Sequence, residues 1–167
     1  SSLHGEVRQH TNPTGMISDT AMQRLIMNSA SDGAIRSLMH FDDREERAFQ
    51  LVNEFFHAVA KVYGSAWYGM APRFSRLRHG AGIVAMGFVM DHLYSLEGAT
   101  ERDQFEPGLR LLAPHTAWTS GQWPLEPWDT RPWNGIQNTP SDIDLLTRYL
   151  VSALKKALRK PRRIANG

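Results

Sequence analysis

The sequence predicts a mainly all-α fold: a helical domain with a central buried helix, a long tryptophan-rich loop and room for a small β element. Three observations predict it. Apolar residues recur at helical spacing in several separate stretches, each opened by a capping residue. One stretch, residues 81–96, is apolar on nearly every side, as a helix enclosed by other helices must be. Residues 98–138 break that pattern with repeated prolines and hold Trp118, Trp123, Trp128 and Trp133.

Taken in order, residues 1–17 read as irregular, with turn chemistry at Asn12-Pro13-Thr14-Gly15. A helix starts at Ser18 or Asp19, with Met22, Leu25 and Ile26 as its apolar stripe. An interruption over 28–31 is followed by a short helix from Ser31-Asp32, carrying Ile35, Leu38 and Met39. The pair has the outline of a helix-turn-helix, an outline that any small helical domain also produces. Asp42 and Asp43 cap the next helix, and Glu45 and Glu46 suit its dipole. Its wide face is Val52, Phe55, Phe56, Val59 and Tyr63, and Gly64 ends it. A loop over 65–72 leads to a basic run and then to the central helix, which stops at Gly98. Gly82, Ala85 and Gly87 on that helix allow a neighbouring backbone to approach closely. Within 98–138 only residues 109–113 suggest a short helical end or strand, and the tryptophans should pin this loop onto the helices. Thr139 as N-cap, Pro140 at the first helical position and Asp142 in the first turn open the last helix, whose stripe is Ile143, Leu146, Leu150, Ala153 and Ala157. Pro161 closes it. Five or six helices result, a number in keeping with ordinary helix lengths.

The 167 residues suit a single helical domain spanning 1–167. Cysteine is absent, which excludes disulfides, thiolate catalysis and cysteine-based zinc sites. No apolar run approaches the roughly 18 residues of a membrane span. The net charge of +2 is unevenly spread. Arg73, Arg76 and Arg78 form one basic cluster, and Lys155, Lys156, Arg159, Lys160, Arg162 and Arg163 form a second. Such clusters permit contact with nucleic-acid phosphates without requiring it, and charge alone favours a solvated loop and helix end.

The first cluster runs into His79-Gly80-Ala81-Gly82 at a helix start, where backbone N–H groups can hold an anion. The segment is not a P-loop, because the Gly-Lys-Ser/Thr element is missing. Its plainer reading is a glycine-bearing turn before a tightly packed helix. His40, Asp42, Asp43 and Glu46 could form a divalent-metal nuclease cluster; capping acids at a helix start account for the same carboxylates. His57 sits among polar helix positions, and Asp91 and His92, adjacent on one helix, do not face each other. The tryptophans could stack bases, cover the core or dock a partner surface. No catalytic residue, cofactor or metal site is assigned.

Two stretches carry a resemblance. One is His115-Thr116-Ala117-Trp118-Thr119-Ser120-Gly121-Gln122-Trp123 followed by Arg131-Pro132-Trp133-Asn134-Gly135-Ile136-Gln137-Asn138-Thr139-Pro140-Ser141-Asp142. The other is Arg78-His79-Gly80-Ala81-Gly82-Ile83-Val84-Ala85-Met86-Gly87. With His10-Thr11-Asn12-Pro13-Thr14 they resemble the C-terminal half of DGQHR-domain proteins over nearly the whole chain. The family's naming pentapeptide, Asp-Gly-Gln-His-Arg, has no counterpart here, and no residue role is carried over. The resemblance implies a C-terminal module or fragment of a larger protein, a ParB-like domain in cis or trans, a prokaryotic cytoplasm, and a setting of DNA modification, phosphorothioation and bacterial defence. The expected function is a non-catalytic helical module. It contacts DNA phosphates through Arg73, Arg76, Arg78, His79 and the second basic cluster, and docks its partner domain through the four tryptophans. The alternatives are a metal-dependent phosphoesterase or nuclease using His40, Asp42, Asp43 and Glu46, and a pure protein–protein interaction module.

Overall fold

The computed structural model describes residues 13–69, 71–126 and 129–160. After a 3₁₀ turn at Pro13–Met16, Ser18 starts helix α1 (Asp19–Asp32) by accepting the Ala21 N–H through its hydroxyl. A 3₁₀ turn at Ile35–Leu38 leads to α2 (Arg44–Tyr63), and Gly64 then turns the chain directly into the short α3 (Ser65–Tyr68). Another 3₁₀ turn, Pro72–Phe74, precedes α4 (Gly80–Glu97) and α5 (Arg102–Leu112). A two-stranded antiparallel hairpin follows, β1 (Gln122–Glu126) and β2 (Asp129–Pro132), with Trp123 opposite Arg131 and a register shift between Pro124 and Glu126. Helix α6 (Pro140–Arg159) completes the fold, capped by the Thr139 hydroxyl as its sequence predicts. Among the described residues the protein is mainly helical, with one small sheet.

Helix α4 is the centre. Its residues Ala81, Ile83, Val84, Ala85, Met86, Val89, Met90 and Leu93 are all buried, because α1 and α6 pack on it and α5 crosses near its end. Helix α2 packs on α5 through edge-to-face contact of Phe55 with Phe105. The glycines set these spacings. A Cβ on Gly87 would come within 2.6 Å of Leu25, so α1 lies close only because that atom is missing. Leu25 faces Gly87 and Ser29 meets Asp91, so α1 and α4 run parallel. Asn138 lies against Gly80, which places the start of α6 beside the start of α4.

Five expectations change. The stretch 65–72, expected as a loop, holds the short α3 (Ser65–Tyr68) and the start of a 3₁₀ turn at Pro72. The break over 28–31 does not occur: α1 continues to Asp32, because the buried Ser29 hydroxyl donates to Asp91 (2.7 Å) and accepts the Ile35 N–H (3.0 Å). The element after it is a four-residue 3₁₀ turn, too short to be the recognition helix of a helix-turn-helix. Asp43 occupies the N-cap position of α2 without a side-chain cap; its carboxylate instead accepts from Arg47 at 2.7 Å. Residues 98–138 are not one long loop, since they contain α5 and the hairpin. Among the described residues no helix is long and apolar enough to cross a membrane.

Candidate functional site

The basic run folds partly inward. Ser75 is buried and its hydroxyl donates to the Ala66 carbonyl (2.7 Å), which fixes the strand of chain on either side. Arg73, two residues before, is exposed and lies over the Phe74 ring at 4.7 Å. Arg76 donates its backbone N–H to Trp118 O (2.8 Å) and its guanidinium to Asn134 O (2.7 Å), with the Trp133 ring 5.9 Å away. Arg76 and Arg78 are half-buried, and that burial lowers the pKa of both. His79 is the N-cap of α4: its Nδ1 accepts the Ala81 N–H at 3.4 Å. Burial, then the charge of Arg76, push its pKa down, which favours the neutral ring that this acceptor role requires.

The glycines of the His79–Gly82 segment have packing reasons. A Cβ on Gly82 would overlap the Arg76 carbonyl oxygen, and one on Gly80 would stand 2.8 Å from Asn138 Nδ2. The plainer reading of this turn is therefore sufficient, and His79 already fills one position of the helix N-terminus. A residue absent from the sequence reading joins this end: Arg24 on α1 donates to Asn138 Oδ1 at 3.3 Å. Nothing in the local pattern around Arg24 marks it; only the docking of α1 against α4 brings it there.

The second basic cluster lies elsewhere. Lys155 is half-buried, and Lys156, Arg159 and Lys160 are exposed. The rise of α6 from Pro140 puts Lys155 about 22 Å from the end where Arg24, Arg76 and His79 gather. Arg162 and Arg163 lie outside the described residues. Among the described residues these basic side chains fall into two separate regions rather than one.

Burial corrects the tryptophan assignment. Trp118 is 4 % exposed and Trp123 is fully buried, packed edge-to-face with centroids 4.9 Å apart. Trp123 Nε1 donates to Trp133 O (3.2 Å), and Tyr149 closes on Trp123 from α6. These two rings fasten the hairpin to the helices and offer no docking face. Trp133 is half-buried and keeps part of its surface, and Trp128 lies outside the described residues. The fifth tryptophan, Trp67, is fully buried and stacks on Phe56.

The acidic segment gathers no metal site: the His40 ring rests on Phe41, Asp43 is paired with Arg47, and Asp42 and Glu46 are exposed. Among the described residues no three His, Asp or Glu side chains are placed to hold a metal ion. An open cleft of about 440 Å³ does exist, lined by His57, Lys61, Tyr68, Arg102, Asp103 and Glu106. Its charges largely answer one another. Glu54 takes the Arg102 guanidinium at 2.5 and 3.1 Å, and Lys61 meets Glu106 at 2.7 Å. His57 has its pKa lowered by burial and by Arg102, with Glu54 opposing.

No family model, no curated protein and no solved structure matches this chain.

Proposed function

We propose that this chain is a non-catalytic helical module that holds nucleic-acid phosphates, in the setting of a DGQHR-type DNA-modification or defence protein. One observation supports it most: Arg24, Arg73 and Arg76 meet no carboxylate among the described residues, whereas the acids Glu54, Glu106, Asp129 and Asp142 are each paired with a cation. Unpaired guanidinium charge on a protein surface favours phosphate, by charge neutralisation and counterion release with little base readout. Lys156, Arg159 and Lys160 form a second, separate exposed cationic region at the end of α6. A ParB-like partner domain would dock elsewhere than on the buried Trp118 and Trp123.

The test is a titration of duplex and single-stranded DNA against the chain at two salt concentrations. Binding that weakens steeply with salt is expected. Absence of binding at low salt removes the reading and leaves the interaction-module alternative.

A further inference from the structure

We infer that the nucleic-acid face is the single end of the molecule where α4 and α6 begin, with Arg24 and Asn138 as members of it, and that the basic turns at the end of α6 are not part of it. This rests on the phosphate-binding reading and says where that site lies. Arg24 comes from α1, Arg76 and His79 from the segment before α4, and Asn134 and Asn138 from the segment before α6. Three segments distant in sequence therefore meet at this end, the arginines as donors and Asn134 O and Asn138 Oδ1 as their acceptors. Arg24 reaches Asn138 (3.3 Å), which lies against Gly80, and Arg76 reaches Asn134 O (2.7 Å) with its own carbonyl against Gly82, so both pairs border the first turn of α4.

Among the described residues Arg24 and Arg76 have no carboxylate partner of their own. Their guanidinium hydrogen bonds among these residues go to amide or carbonyl oxygen, and the Nε of Arg76 is buried without a hydrogen-bond partner. The other arginine at this end, Arg131, is held by Asp129 (3.2 Å) and Asp142 (2.7 Å) and is therefore excluded from the set. Arg24 is free to exchange a weak amide partner for a phosphate oxygen, a stronger charge-assisted bond. At the far end Lys156, Arg159 and Lys160 follow one another along one helix terminus. Cations there complement the helix dipole, which explains them without a ligand.

The experiment measures anisotropy of a labelled short DNA of mixed sequence, single-stranded and duplex, at two salt concentrations. It compares the wild-type chain with Arg24→Ala, Arg24→Lys and the pair Lys156→Ala/Arg159→Ala. Arg24 is half-buried, so far-UV circular dichroism checks that each replacement leaves the fold intact. Arg24→Ala should weaken binding several-fold and lower the salt slope by about one, Arg24→Lys should recover most of the loss, and the far pair should bind like wild type. If the far pair loses binding and Arg24→Ala keeps it, the inference is overturned while the phosphate reading stands. Equal losses in both variants overturn it as well, because the contact would then be spread over both ends. A wild-type chain that does not bind at low salt overturns the reading beneath it.

Discussion

Asp91 and Asp142 show how neighbours decide what a carboxylate does. Asp142 is buried, which alone would raise its pKa; the Gln137 N–H (2.8 Å) and the Arg131 guanidinium (2.7 Å) outweigh burial and hold it below the usual range. Its stabilising effect is present above the ordinary aspartate value of 3.8 and is lost as pH falls through the lowered folded value. Asp142→Asn should cost about 1–3 kcal/mol at neutral pH in urea unfolding, with the difference from wild type shrinking below that value. Asp91 behaves oppositely. Burial raises its pKa, and the bonds from Ser29 and Ala34 only moderate this. Its ionised form is therefore a burden that is relieved as pH falls through the raised value toward 3.8. Asp91→Asn should abolish that acid-side gain, measured as the difference in melting temperature from wild type across mildly acidic pH. At Gly82 the constraint is steric: Gly82→Ala places a methyl on the Arg76 carbonyl and should destabilise by about 3 kcal/mol.

Among the elements, α5 teaches most. Its sequence carries a helical face, Phe105, Leu109 and Leu112, all buried, and a reciprocal cap between Glu101 and Gln104. Pro107 inside the helix and the tryptophans beyond it hide that signal, since proline ordinarily breaks a helix. The helix survives because Glu54 of α2 accepts the Arg102 N–H (3.1 Å) and Phe105 packs edge-to-face on Phe55. Gln104 accepts from Thr100 N (2.9 Å), Thr100 Oγ1 (3.1 Å) and Glu101 N (3.2 Å). Gln104→Ala should lower stability by about 1 kcal/mol, seen as a lower thermal midpoint. The basic run was legible as charge, but its division into an exposed Arg73 and half-buried Arg76 and Arg78 depends on where residues 117–118 and 133–134 fold back.

Across the whole molecule, the buried apolar residues form one continuous cluster running from Ile17 to Leu154. Such a core should unfold in a single cooperative step. Tryptophan fluorescence, which reports the buried Trp67, Trp118 and Trp123, and far-UV circular dichroism should give coincident urea midpoints. Separate midpoints would mean that the hairpin and its tryptophans open independently of the helices.

The sequence by itself determined the mainly helical class, the central place of α4, the Thr139-Pro140 start of α6 and the existence of two basic clusters. Each of these is written in local spacing, capping chemistry or composition, which need no knowledge of distant partners. The tertiary structure alone decided that Trp118 and Trp123 are core, that Asp43 answers Arg47, and that Arg24 stands beside Asn138 while the last turns of α6 stand about 22 Å away. The physical reason is the same throughout. Burial and ion pairing depend on which surfaces meet, and residues as far apart as 24 and 138 meet only after the helices have packed.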